Sequence, residues 1–166
     1  KNLSNSKRGI LVTIARKFRI TPALIMKLNN LKSNAVNVGQ KIKVIDGNNF
    51  NIVINLSNCR LSLRDGDKLI KIYPVCVGAK ETPTPTGDYK VINKAIDPVW
   101  FSDASTGGKG IIPGGDPRNE LGTRWIGFKP AFGIHGTIFP DSIGKPESHG
   151  CVRMHNKDVE ELYDLV

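Results

Sequence analysis

The chain has 166 residues, 39% of them apolar and 23% charged, which suits one ordinary domain or a small module ahead of a compact one. No apolar run approaches the roughly 18 residues that a membrane-spanning helix needs. The formal charge of +9 is lopsided: residues 1–46 hold ten Lys and Arg against one acid, Asp46, while residues 47–166 hold fourteen bases and fourteen acids. A basic module over 1–46 and a charge-balanced domain over 47–166 are therefore expected, the first suited to an anionic partner. The chain starts at Lys1 with no secretory signal, so a leader or anchor removed beforehand is one expectation.

In the first module Leu11, Ile14, Ala15 and Phe18 recur at helical spacing. Thr21 can cap a second helix, with Pro22 at its first position and Leu24, Ile25 and Leu28 on its apolar stripe. Ile42 and Val44 in "GQKIKVI" alternate as a strand would. "DGNN" at 46–49 reads as a linker. Strands follow: Ile52, Ile54 and Leu56 alternate, and Leu61 and Leu63 lead through an Asp65-Gly66 hairpin turn to Ile70 and Ile72. "YPVCVG" and "GDYKVIN" predict two more strands, separated by the proline-studded loop "AKETPTPTG". Only at the end does a long helical pattern return, with Asn156 as cap and Val159, Leu162, Tyr163 and Val166 on one stripe. The second domain is expected to be mainly β, a sandwich or barrel with a late α-helix.

The stretch "TIARKFRITPALIMKLNNLKSNAVNVGQKIKV" resembles a LysM module over roughly residues 9–45, with Ile14-Ala15, Phe18, Leu28-Asn29-Asn30-Leu31 and Gly39-Gln40 at the family's positions. The resemblance implies a small α+β βααβ fold that binds the N-acetylglucosamine-containing glycans of peptidoglycan or chitin. The family's first turn, Gly-Asp-Thr-Leu, is replaced by "NLSNSKRGIL", so a short or irregular first strand is expected. Phe18 is the sole aromatic residue of 1–46 and its spacing makes it core, which argues against nucleic acid as a partner.

Three cysteines cannot all pair. Cys59 shares alternation parity with Leu61 and Leu63, and Cys76 with Ile70 and Ile72, so both point into a core; a Cys59–Cys76 disulfide stays open if the protein is exported. Cys151, in "SHGC", is the candidate nucleophile. A thiol of ordinary pKa ~8.5 is only a few per cent thiolate at neutral pH, so an imidazole from His135 or His149 would take its proton and later return it to a leaving amine. Glycines beside the thiol leave room for a substrate carbonyl, and the amides of Gly150 and Cys151 could hold an oxyanion. One such donor is typically worth ~2.7–4 kcal/mol of barrier. A zinc site built from His135, His149, Cys151 and His155 is disfavoured by the tight His-x-Cys spacing and the lack of a cysteine pair. A papain-like arrangement is disfavoured too, because the histidines precede the cysteine.

His135 followed by Ser148-His149-Gly150-Cys151-Val152-Arg153 resembles the L,D-transpeptidase catalytic domain, the YkuD domain, and "TPTPTGDYKV" and "LGTRWIGF" extend the likeness over about residues 50–166. The resemblance implies that Cys151 is the nucleophile and that His135 activates it, with the Gly136 carbonyl orienting the imidazole. It implies that His149 tunes the thiol or binds substrate, that Arg153 meets a substrate carboxylate or braces the pocket, and that Ser148, Trp125 and Arg124 line the substrate cleft. The implied reaction is thioester formation on the third residue of a peptidoglycan tetrapeptide stem, with loss of D-alanine and transfer to a neighbouring amine, giving a three-to-three crosslink. Transfer to water would make the chain an L,D-carboxypeptidase, and loss of turnover would leave a wall-binding protein of the same fold. The family needs no metal or organic cofactor and is acylated by carbapenems. Implied partners are glycan strands and tetrapeptide stems, with peripheral contact to anionic wall polymers, for a monomer working outside the cytoplasm in the cell wall or periplasm. An activated Cys151 is expected to alkylate well below pH 8, and Cys59 and Cys76 to stay inert. The family pattern continues with a short strand beyond the late helix, whereas this sequence ends at Val166 inside it.

Overall fold

The computed structural model describes residues 4–37, 39–102, 108 and 110–166. The N-terminal region holds helices α1 (Ser4–Lys17) and α2 (Pro22–Leu28). Their spacing is the predicted one: Leu11, Ala15 and Ile25 are buried, with Ile14, Phe18 and Leu24 packed against them. Thr21 caps α2, its hydroxyl accepting from Leu24 N–H at 3.1 Å.

The expected strands of this region differ. Helix α1 already begins at Ser4, so the segment of the expected first strand is largely helical. The "KIKVI" segment is not a strand either. Instead Asn29 supplies what a strand neighbour would, its carboxamide accepting from Lys43 N–H at 2.7 Å and donating to Lys43 C=O at 2.8 Å. The linker turns against the end of α1, with Gly47 N–H donating to Phe18 C=O at 2.8 Å.

The second region is mainly strands. A three-stranded sheet joins β1 (Phe50–Asn55), β2 (Arg60–Asp65) and β3 (Lys68–Pro74), with Asp65-Gly66 in its hairpin turn. A four-stranded sheet has the order β11-β9-β8-β5, from β5 (Asn93–Ile96), β8 (Arg124–Lys129), β9 (Phe132–His135) and β11 (Val152–Arg153). Short pairs complete it: β4 (Val77–Gly78) with β10 (Pro146–Ser148), and β6 (Trp100–Ser102) with β7 (Gly110–Ile112). β5 starts later than "GDYKVIN" predicts, because pairing with β8 takes hold at Asn93, preceded by one bond from Ile92 N–H to Gly127 C=O.

Helix α3 (Asn156–Leu165) packs Val159 and Leu162 into a core shared by both sheets, with Leu61, Leu63, Tyr73, Val75, Ile126, Ile134 and Val152. Cys59 and Cys76 are buried free thiols. Cys59 shares the buried side of Leu61 and Leu63 as its parity predicts, whereas Ile70 and Ile72, whose parity Cys76 shares, are exposed. The buried side of β3 carries Tyr73, and Cys76 is buried only beyond the end of that strand, next to Val75. The cap of α3 differs from expectation: His155 occupies that position, and the Asn156 side chain reaches elsewhere. Lys94 closes the other end of α3, donating to the carbonyls of Tyr163 and Val166 with its ammonium 4.1 Å from the Tyr163 ring centroid.

Candidate active site

Strand register assembles the site. β8 and β9 are antiparallel with Trp125 opposite His135, and β9 and β11 are parallel with His135 opposite Arg153. Side chains two apart share a face, so Trp125, His135 and Arg153 line one side of the sheet. Cys151 stands one residue ahead of β11 and continues that parity, which brings its thiol beside Gly133. Cys151, two residues before Arg153, is then diagonal to His135 across the β9–β11 pairing.

The imidazole is held on several sides. It is 4% exposed, its Nδ1 lies 2.6 Å from the Gly136 carbonyl, and Trp125 stacks on it with ring centroids 5.9 Å apart. Burial pushes its pKa down to about 4, and the Arg153 guanidinium adds to that, against the Gly136 and Leu121 backbones, which favour the protonated ring. The half-buried Cys151 thiol lies 3.7 Å from the Ala131 carbonyl in the β8–β9 turn. Burial pushes its pKa up, opposed by the Gly133 backbone and by Arg153. Both groups are therefore neutral at rest around pH 7. That differs from the thiolate the motif suggests, because the desolvation of the site outweighs the single nearby cation.

The Ser148–Cys151 turn is fastened from inside. Ser148 is 2% exposed, and its hydroxyl accepts from Gly150 N–H at 3.2 Å while donating to Cys151 C=O. Ser148 thus braces the nucleophile instead of lining a cleft, and the Gly150 amide expected at an oxyanion is engaged within the turn. Gly150 has φ +105°, and a Cβ there would come within 2.7 Å of Phe132 Cε1, so a glycine is required. His149 is exposed, two residues before Cys151 in the chain. Arg124 is not on this face. As the strand neighbour of Trp125 it must point the other way, and its guanidinium lies 5.6 Å from the Tyr163 ring centroid on α3.

Residues 49–166 match the family model of the YkuD L,D-transpeptidase catalytic domain, and residues 10–44 match that of the LysM domain. The chain belongs to the YkuD L,D-transpeptidase family. The YkuD proteins of Bacillus licheniformis and Bacillus subtilis, both named as L,D-transpeptidases, are 35% and 36% identical over 163 residues, covering 94% of this chain and 87% of each relative. Among solved structures, an L,D-transpeptidase from Mycobacterium smegmatis superposes with a TM-score of 0.58 at 21% identity over 71% of this chain. L,D-transpeptidase 3 from Mycobacterium tuberculosis, in complex with a faropenem-derived adduct, gives 0.57 at 21% identity over 71%. This chain spans about half the length of those two, 54% and 56%. The catalytic domain of the Enterococcus faecium L,D-transpeptidase gives 0.56 at 23% identity, with 70% of this chain and 89% of that one covered. These structures share its fold.

Several contributors to the YkuD site are not apparent from the motif. Thr82 donates its hydroxyl to Ser148 C=O at 2.9 Å, and Thr84 accepts from Gly78 N–H at 2.8 Å, so the "TPTPT" loop forms one wall of the nucleophile turn. Asn93 accepts from Trp125 Nε1–H at 2.8 Å and steadies the indole over His135. Buried Asn119 accepts from Leu121 N–H at 3.0 Å and donates to the Pro98 and Pro113 carbonyls, fixing the loop whose backbone faces the imidazole. Local repetition of Thr and Pro hinted at the first; the two asparagines carry no local signal.

Proposed function

We propose that this chain is a peptidoglycan L,D-transpeptidase that forms three-to-three crosslinks through a Cys151 thioester. The observation that carries the reading is the parallel pairing of β9 with β11, His135 opposite Arg153, which turns the segment holding Cys151, just ahead of β11, toward the strand of His135. Because thiol and imidazole are both neutral at rest, proton transfer accompanies attack. The Cys151 sulfur bonds to the carbonyl carbon of the third stem residue as its proton passes to His135. The tetrahedral oxyanion is held by the Cys151 main-chain N–H, the Gly150 N–H being engaged by the Ser148 hydroxyl. The imidazolium then gives the proton to the departing D-alanine nitrogen, leaving a thioester. An acceptor amine of a second stem loses its proton to His135, attacks the thioester and frees the thiol. His149 stands at the mouth of this path, Gly136 orients the base, and Arg153 meets a substrate carboxylate. Residues 1–46 act as a separate glycan-binding module that concentrates the domain of 47–166 on its polymer, as a monomer in the cell wall or periplasm.

The test incubates a defined pair of tetrapeptide muropeptides with wild type and Cys151→Ala, followed by mass spectrometry. Wild type should release D-alanine, show a thioester-sized adduct and form a crosslinked dimer, while the variant does none of these. Undiminished release by Cys151→Ala would overturn the nucleophile. Tripeptide without dimer would assign the carboxypeptidase reaction instead.

A further inference from the structure

Asn156 is the first residue of α3, five residues beyond the nucleophile, and its carboxamide is wedged between two backbone segments. Oδ1 accepts from Thr137 N–H at 3.1 Å and from Thr123 N–H at 3.3 Å, and Nδ2 donates to Thr137 C=O at 3.1 Å. The glycines before each of those threonines make the wedge possible, since a Cβ at Gly136 or Gly122 would fall 2.0 or 2.2 Å from Oδ1. Two gaps cleared for one side-chain amide show a built clamp. The clamped backbone matters for chemistry because Gly136 lies inside it and its carbonyl meets His135 Nδ1.

We infer that Asn156 is a positioning residue for the catalytic base, pinning the Gly136–Thr137 backbone so that the Gly136 carbonyl holds one tautomer and one ring orientation of His135. The inference rests on the transpeptidase reading only for His135's role as base. A carbonyl that accepts the Nδ1 proton leaves Nε2 as the basic nitrogen. Without the amide the segment is tied by Gly136 N–H to Arg124 C=O at 3.2 Å, with no side-chain grip on Thr137. The ring then gains water and tilts away from the sulfur. The titratable and charged groups facing it are Cys151 and Arg153 on the β11 side, while β8 presents the Trp125 ring and the 119–122 loop presents the Leu121 backbone.

The test compares Asn156→Ala and Asn156→Ser with Thr123→Ala, which loses the hydroxyl bond to Glu160 at 2.7 Å and loosens α3 without removing the clamp. NMR titration of the His135 imidazole, assigned with His149→Gln and His155→Gln, is the primary readout. Hydration of the ring should move its midpoint from about 4 toward the ordinary ~6.5 in the Asn156 variants and leave it in place in Thr123→Ala. D-Alanine release should fall on the order of 10- to 100-fold in kcat with KM little changed, the expected cost of a misplaced base. Asn156→Ser keeps a polar group in the wedge and supplies the measurement if the alanine variant does not fold. Unshifted titration with unchanged kcat in either variant overturns the inference, as does an equal shift in Thr123→Ala. The titration does not depend on turnover, so a wild type that releases no D-alanine refutes the transpeptidase reading and leaves this test standing.

Discussion

The LysM region and the YkuD domain are stabilised in different ways. The first buries Leu11, Ala15, Ile20, Ile25 and Val36 between two short helices, and its last segment is held by the Asn29 carboxamide instead of a sheet. The second joins two sheets and α3 around twelve buried residues. So small a core is weak support on its own. The first region also leans on the second: Thr21 N–H donates to Asp164 C=O at 3.2 Å, and the Thr21 hydroxyl donates to the Asp164 carboxylate at 2.6 Å. The comparison teaches that the candidate site lies wholly in the region with the large core, while the region with the excess positive charge borrows part of its rigidity.

The strongest way to break that contrast is Leu162→Ala. Leu162 is fully buried where α3 meets both sheets, and truncation should cost the YkuD domain about 2–5 kcal/mol. Urea unfolding followed by Trp fluorescence reads the domain, since Trp100 and Trp125 both lie in it. If helical signal from residues 4–28 vanishes at the same urea concentration, the two regions are one cooperative unit and the contrast fails.

Acid should separate them next. His135 titrates near 4 when folded and near ~6.5 when unfolded, so the unfolded chain binds more protons between those values. Stability from this group is whole above ~6.5 and is lost as pH falls to about 4, by up to ~3 kcal/mol. Residues 1–46 contain no histidine, so the loss belongs to the YkuD domain. Denaturant midpoints at pH 7 and pH 4.5 check this, and His135→Gln should flatten the difference. A wild-type midpoint insensitive to that change would contradict the burial of the imidazole.

The smallest effect sharpens the junction. Thr21→Ala removes both the α2 cap and the hydroxyl bond to the Asp164 carboxylate, keeps the main-chain bond, and should cost the LysM region about 1–2 kcal/mol. Amide hydrogen exchange over α1 and α2 should accelerate while β8 and β9 stay protected. Equal acceleration in both would show that the junction supports the whole molecule.

How much of this was legible depended on how local each signal was. His135 and Cys151 stand in short motifs inside the stretch that matches the family model, and helical spacing at Leu11, Ala15 and Ile25 is a near-neighbour property. Trp125 and Arg124 show the limit: adjacent residues of one strand cannot both face a cleft, and only the pairing with His135 decides between them. Asn156 was legible as a residue fond of helix starts, but its partners lie 19 and 33 positions away, so its grip on Gly136–Thr137 emerges only with the fold. The pKa of Cys151 went the same way, since a motif lists charges and glycines but not how much water the folded chain excludes.

The parallel pairing of β9 with β11 has a temporal consequence. Parallel neighbours cannot be joined by a tight turn, and here the intervening chain runs through a short 3-10 helix at Pro140–Ser142 and strand β10 before it returns. Until that excursion is complete, sulfur and imidazole are strangers in solution. On the proposed mechanism, acyl-transfer competence comes only when the topology closes.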